Sequence, residues 1–124
     1  MKRHLIRLSF LFVPLILFAQ EDFISYYEYG EMLYANPRGV SCLECHGKSG
    51  EGTIIVSYQD IHGKAVLRGS DIRKKSLKEM MISVNHYHKI MPRYYLTNEE
   101  VKAIYDYLRV KNHHYLTEKN NTTK

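Results

Sequence analysis

The chain has 124 residues, of which 44% are hydrophobic and 25% charged, with a formal net charge of +5. This length allows one small domain with a modest core and excludes a multidomain architecture. Three of the 18 basic residues, Lys2, Arg3 and Arg7, lie in the first 19 residues, which contain no acidic one. The rest of the chain carries 15 basic against 13 acidic side chains, so the charge gives little support to nucleic-acid binding.

Residues 1–19 are predicted to be a cleaved signal peptide that exports the protein to the periplasm. Their basic start precedes an apolar run from Leu8 to Phe18, and Ala19 offers a small residue before the cut. The alternative is an uncleaved membrane anchor. The run is 11 residues long and contains Pro14, whereas a membrane-spanning helix needs roughly 20 apolar residues, so a cleaved signal is favoured.

One domain is predicted over residues 22–112, followed by a flexible polar tail over residues 113–124 that has no apolar periodicity. The first predicted helix runs from Asp22 to Asn36, with Asp22 as its N-cap and aromatic and aliphatic residues at helical spacing. It ends before Pro37, because a proline disfavours the helical conformation of the preceding residue.

The second half of the domain contains a predicted β-hairpin and two predicted helices. Residues 53–58 are rich in β-branched side chains, His62-Gly63 supplies a turn, and residues 65–67 form the returning strand. The second helix spans Ser76 to Val84 and the third spans Thr97 to Val110. Both begin with a capping box, a serine or threonine followed three residues later by glutamate.

The segment Cys42–His46 has the pattern C-x-x-C-H, which is the attachment signature of c-type haem. Two thiols on one turn can bind the two vinyl groups of a porphyrin, and the adjacent histidine then lies under the iron. The chain has only these two cysteines, so a four-thiolate zinc site cannot form, and the βαβ units of a thioredoxin-like protein are absent from the predicted elements. The sequence therefore predicts one haem, bound covalently by Cys42 and Cys45, with His46 as an iron ligand.

The second iron ligand has five candidates, Met80, Met81, His86, His88 and Met91. Met80 and Met81 belong to the apolar stripe of the second predicted helix, which favours a place in the core. Met91 lies in a loop and is followed by a proline that stiffens the chain. Met91 is therefore the predicted second ligand, with His86 and His88 as alternatives.

The order helix, C-x-x-C-H, middle helix, Met-Pro and C-terminal helix resembles the class I monohaem cytochromes c over about residues 23–110. Gly30 and Tyr34 match the G-x-x-x-aromatic pattern of the family's first helix. The resemblance implies an all-α fold with three main helices around the haem and a short β-hairpin after the haem motif. It also implies that the first and last helices cross at near right angles, with Gly30 against Ile104 or Tyr107.

One feature departs from the family pattern. The family often has a proline after the haem motif whose carbonyl accepts the hydrogen bond of the iron-binding histidine. No proline lies between His46 and Ser76. Ala65 and Ser70 are the residues expected to supply that carbonyl instead.

The resemblance implies a periplasmic one-electron carrier in respiratory electron transfer, and not an enzyme. The expected partners are redox proteins such as a quinol–cytochrome c reductase, a terminal oxidase or a peroxidase. Neither nucleic acid nor a stable membrane span after signal cleavage is expected, and the protein is expected to be a monomer. Lys48, Lys89 and Arg93 are candidates for attracting an acidic partner, although ordinary solvated charge explains them equally well.

Three other functions compete with a free electron carrier. The chain could be a haem c subunit of a larger oxidoreductase. It could be a five-coordinate haem sensor or ligand-binding protein, which requires that Met91 does not bind the iron. The two cysteines could also form a redox dithiol in a protein without haem.

Overall fold

The structure is a computed structural model that describes residues 24–121. The predicted export signal, residues 1–19, and the predicted N-cap Asp22 lie outside these residues. Within residues 24–121, no helix has both the length and the apolar character needed to span a membrane.

The described chain forms five helices and two strands. In chain order they are α1 (Tyr26–Ala35), α2 (Cys42–His46), β1 (Ile54–Asp60), β2 (Gly63–Arg68), α3 (Leu77–Asn85), α4 (Asn98–Lys111) and α5 (His113–Asn121). The three predicted main helices correspond to α1, α3 and α4, and the predicted hairpin corresponds to β1 and β2. The short helix α2 and the C-terminal helix α5 were not predicted, so the helix count differs from the expectation.

Capping boxes begin the three longer core helices. In α1, α3 and α4, a serine or threonine hydroxyl accepts a hydrogen bond from the third helical N–H, and the glutamate at that position accepts one from the cap's own N–H. The boxes of α3 and α4 are the predicted ones. For α1 the cap is Ser25, paired with Glu28, so the N-cap lies three residues later than predicted.

Helices α1 and α4 pack closely because α1 carries a glycine at their contact. Gly30 is buried, and a Cβ added there would meet the carbonyl of Ala103 and lie 2.8 Å from Cβ of Tyr107. The predicted contact between Gly30 and Tyr107 is confirmed, while Ala103 takes the place expected for Ile104. Only a residue without a side chain allows the two backbones to approach this closely.

The hydrophobic core lies between α1, α3 and α4. Its buried members among the described residues are Leu33, Tyr34, Met80, Tyr94, Leu96, Val101, Ala103, Ile104, Tyr107 and Leu108. The rings of Tyr34 and Tyr107 pack with their centroids 5.7 Å apart, which buries large aromatic surfaces at the centre of the helix contact. Met80 lies in this core as predicted, and Met81 packs against it.

The hairpin forms a two-stranded antiparallel sheet beside the helices. Its strands pair from Ile54 opposite Arg68 to Asp60 opposite Gly63, so both are longer than predicted. Every residue of β1 is exposed, and the sheet belongs to the edge of the domain and not to its core.

The segment after Asn112 differs from the prediction. Residues 113–124 were expected to form a flexible tail, but His113–Asn121 form the helix α5. The side-chain amide of the buried Asn112 donates to the carbonyl oxygens of Ser49 (2.7 Å) and Leu108 (2.8 Å) at the junction of α4 and α5. These contacts are polar and leave no apolar periodicity in the sequence. The sequence pattern alone therefore predicts a tail.

We expect Gly30→Ala to lower the free energy of unfolding by about 1–3 kcal/mol, the usual cost of overpacking. The added methyl group would press on the backbone of α4 and force the two helices apart, which outweighs the higher helix propensity of alanine. Urea unfolding monitored by circular dichroism measures the change. The control is Gly39→Ala, whose Cβ would be 3.4 Å from the Tyr94 ring, an ordinary contact. A Gly30→Ala variant as stable as this control would contradict the crossing.

Candidate functional site

A cavity of about 390 Å³ opens beside α2 and is lined mainly by apolar side chains. Its volume falls in the range of small-molecule and cofactor sites, about 300–1,000 Å³. The lining includes Cys42, Cys45, His46 and Met91. The structure thus brings all four of the predicted site residues to one cavity, although they are separated by up to 49 positions in the sequence.

Helix α2 sets the positions of the two thiols. The hydroxyl of Ser41 caps this helix by accepting a hydrogen bond of 3.2 Å from the N–H of Leu43. Residues three apart lie on the same side of a helix, so Cys42 and Cys45 both face the cavity, and both are free thiols. One turn of helix therefore presents a pair of thiols to the same ligand.

The protonation of Cys42 bears on the alternative of a redox dithiol. Burial raises the pKa of the Cys42 thiol to about 11. The attacking cysteine of a redox-active C-x-x-C motif needs a lowered pKa, because the thiolate is its reactive form. Cys42 is therefore unsuited to be the attacking thiol of the redox dithiol that the sequence left open.

The imidazole of His46 is oriented by a backbone carbonyl. Nδ1 of His46 lies 2.8 Å from the carbonyl oxygen of Ser70. Because a carbonyl oxygen only accepts, Nδ1 carries the hydrogen and Nε2 keeps its lone pair. This is the arrangement in which a histidine can bind a metal through Nε2. Of the two residues expected to supply the carbonyl, Ser70 does so and Ala65 does not.

The base of the hairpin holds Ser70 next to α2. The N–H of Thr53 donates to the carbonyl of Cys45 (3.0 Å), and the N–H of Gly69 donates to the carbonyl of Thr53 (2.9 Å). Gly69 also lies so close to the carbonyl of Cys45 that no Cβ fits between them. Gly69 is a site residue that the sequence analysis missed, and its only sequence signal is an isolated glycine after a strand.

Three of the five candidates for the second iron ligand line the cavity. They are Met80, His88 and Met91, whereas Met81 and His86 do not. Met80 is buried in the hydrophobic core, and Nε2 of His88 lies 2.8 Å from the carbonyl of Ser83 and donates to it. Met91 is half-buried in the loop between α3 and α4.

Tyr94 fixes that loop through two hydrogen bonds. The N–H of Tyr94 donates to the carbonyl of Val84 at the end of α3 (2.9 Å), and its hydroxyl donates to the carbonyl of Val40 before α2 (2.6 Å). Burial raises the pKa of Tyr94 to about 12, so the hydroxyl stays a neutral donor. Met91 is thus carried by a short loop with a fixed end at the cavity.

The charged side chains that line the cavity are basic, and one of them, Lys75, is paired with Glu79 (Nζ to Oε1, 3.3 Å). Arg68, Lys75 and Lys89 line the cavity, and no acidic residue of the described chain does. Of the cations predicted to attract a partner, Lys89 is at the cavity, whereas Lys48 and Arg93 are not among its lining residues. Arg68 and Lys75 were not predicted, because nothing in their local sequence distinguishes them from ordinary surface charges. Such a lining fits a ligand that combines a large apolar surface with carboxylate groups.

These residues fit a haem c. The pair of free thiols matches the two vinyl groups, Nε2 of His46 is available for iron, and the apolar walls match the macrocycle. The basic residues match the two propionate groups. The tautomer of His46 and the shape of the cavity support this fit without reference to any other protein.

Comparison with protein families agrees with the geometry. The family model for cytochrome c matches residues 27–111, which is well over half of the chain. Comparison with curated proteins and with solved structures gives no match. The matched segment runs from the second residue of α1 to the end of α4 and contains the two cysteines and the whole of the cavity lining. The chain therefore belongs to the cytochrome c family.

Proposed function

We propose that this protein is a periplasmic one-electron carrier with a single haem c. The observation that carries the proposal is the cavity that collects both free thiols, the available Nε2 of His46 and the thioether of Met91. Membership of the cytochrome c family supports it, since the family implies covalent haem and electron transfer and not an enzyme activity.

When bound, haem iron supplies a one-electron couple between its ferrous and ferric states. In this chain Cys42 and Cys45 would hold the group through two thioether bonds. His46 would bind the iron, with the carbonyl of Ser70 fixing the ring orientation. Met91 would supply the second protein ligand, and a thioether ligand raises the reduction potential relative to a second histidine.

The protein's own residues explain why a carrier is favoured over an enzyme. With both His46 and Met91 holding the iron, no position would remain on it for a substrate. The buried core residues Met80, Tyr94 and Leu96 form part of the cavity wall, and an apolar wall keeps water away from the metal. Both features favour electron exchange through the edge of the cofactor over chemistry at the iron.

We further propose that the partners are acidic redox proteins of a periplasmic respiratory chain. Candidates are a quinol–cytochrome c reductase, a terminal oxidase or a peroxidase. The protein would bind them as a monomer after export. The basic side chains of Arg68, Lys75 and Lys89 at the cavity support acidic partners, because complementary charge speeds encounter. The haem propionates would offset part of this positive charge.

We expect the variant Cys42→Ala/Cys45→Ala to lose covalent haem, since these are the only thiols of the chain. Wild-type protein expressed in a periplasm with haem-attachment enzymes should keep peroxidase staining on a denaturing gel. It should also show the visible bands of a c-type cytochrome, and these should change on reduction. His62→Ala, an exposed turn residue, serves as the control and should stain like wild type. Staining of the cysteine variant would contradict the proposed attachment.

We expect Met91→Ala to open one coordination position on the iron. Carbon monoxide should then bind the reduced protein readily, and cyanide the oxidised protein, as measured by the shift of the visible spectrum. Met81→Ala is the matched control, because Met81 is also half-buried but does not line the cavity. If His88→Ala opens the position and Met91→Ala does not, the second ligand is His88.

A further inference from the structure

We infer that Tyr115 of α5 is a positioning residue for the iron ligand His46, and that it acts through Arg73 and the loop of residues 69–73. The inference rests on the proposed function, because its effect is read at the haem. It assigns a role to the C-terminal segment that the sequence analysis treated as a tail.

The loop of residues 69–73 carries the carbonyl that orients His46, and backbone hydrogen bonds hold it at two points. Gly69 donates its N–H to Thr53 (2.9 Å), and Ile72 donates its N–H to the carbonyl of Gly50 (2.8 Å). Ser70 lies between these two points. Its carbonyl position therefore depends on how firmly both ends of the loop are held.

The far end of the loop is braced by Arg73. Its guanidinium forms a two-pronged ion pair with Asp71, with Nη2 at 2.6 Å from Oδ2 and Nε at 3.0 Å from Oδ1. The backbone N–H of Arg73 also donates to Oδ1 of Asp71 (3.0 Å). With a further contact of 3.2 Å from Nε to Oδ2, four hydrogen bonds tie Asp71, the residue next to Ser70, to the arginine.

Tyr115 covers this arginine. The guanidinium carbon of Arg73 lies 3.8 Å from the centre of the Tyr115 ring, and the Arg73 side chain is only 20% exposed. At this distance a guanidinium stacks on an aromatic face with both cation–π attraction and van der Waals contact. The stack links α5 to the loop by a side chain outside the hydrophobic core.

Asn112, at the junction of α4 and α5, holds the chain on the other side of the Gly50–Ile72 hydrogen bond. It is buried and donates to the carbonyl of Ser49, the neighbour of Gly50, which accepts the bond from Ile72. Asn112 and Tyr115 therefore contact the neighbours of the two residues that form this hydrogen bond. Loss of the stack would leave the Ser70 carbonyl freer to move away from His46.

The direction of the effect follows from the hydrogen bond. A carbonyl that accepts from Nδ1 makes the imidazole a more basic ligand, and a more basic ligand favours the oxidised iron with its higher charge. A looser Ser70 carbonyl weakens this effect. The reduced form is then favoured, and the midpoint potential rises.

The test compares Tyr115→Leu with wild type by potentiometric titration of the haem-loaded protein. Leucine keeps apolar bulk and helix propensity but has no aromatic face. We expect the ratio of reduced to oxidised protein at a fixed potential to increase about threefold. Tyr115→Phe keeps the aromatic ring and should therefore have the same potential as wild type.

Tyr105→Leu is the matched control, because Tyr105 is a half-buried tyrosine whose ring lies 5.8 Å from the guanidinium of Arg109 on α4, away from the loop. It should lower stability without moving the potential. If Tyr115→Leu yields no folded protein, Arg73→Lys tests the same link, because lysine keeps the positive charge but lacks the planar guanidinium that stacks on Tyr115. This variant should raise the potential in the same way.

An unchanged potential in Tyr115→Leu, or in Arg73→Lys if that variant replaces it, would overturn the inference while the proposed function stands. A shift of the same size in Tyr105→Leu would also overturn it, because the effect would then come from general loosening. Wild-type protein that takes up no haem would overturn the proposed function and the inference with it.

Discussion

The hydrogen bond between Nδ1 of His46 and the carbonyl of Ser70 is the constraint around which the site is built. It selects the tautomer that leaves Nε2 free, and it requires the backbone after the hairpin to lie against the end of α2. The absence of a side chain at Gly69 allows that approach. The hairpin therefore acts as a backbone frame for one carbonyl oxygen, which explains how an exposed sheet can orient a ligand residue in the cavity.

The helix core performs a separate task. The contact of α1 and α4 at Gly30 and the buried tyrosine pair hold one wall of the cavity, while α2 and the loop of Met91 form others. Tyr94 joins the two parts, since its ring belongs to the core and its hydroxyl reaches the carbonyl of Val40 before α2. The site is thus framed by elements that are distant in sequence and held together by a few hydrogen bonds.

The sequence predicted those features whose causes are local. The capping boxes at Ser76 and Thr97 are four-residue patterns that each mark the start of a helix. The pattern C-x-x-C-H likewise places two thiols and an imidazole on one turn. Ser70 was only one of two possibilities, because every residue has a carbonyl and only the fold selects the one that is near. The helix α5 was missed because its anchors, Asn112 and Tyr115, bind through an amide and an aromatic face, which hydrophobic periodicity does not detect.

The protonation state of Cys42 affects how readily its thiol is oxidised before haem is attached. Disulfide formation proceeds through a thiolate, and with a pKa of about 11 the Cys42 thiol stays protonated at neutral pH. Attack by Cys42 on an external disulfide would therefore be slow in the folded chain before haem attachment. The burial that shapes the cavity would thus also limit oxidation of a thiol that attachment consumes in its reduced state.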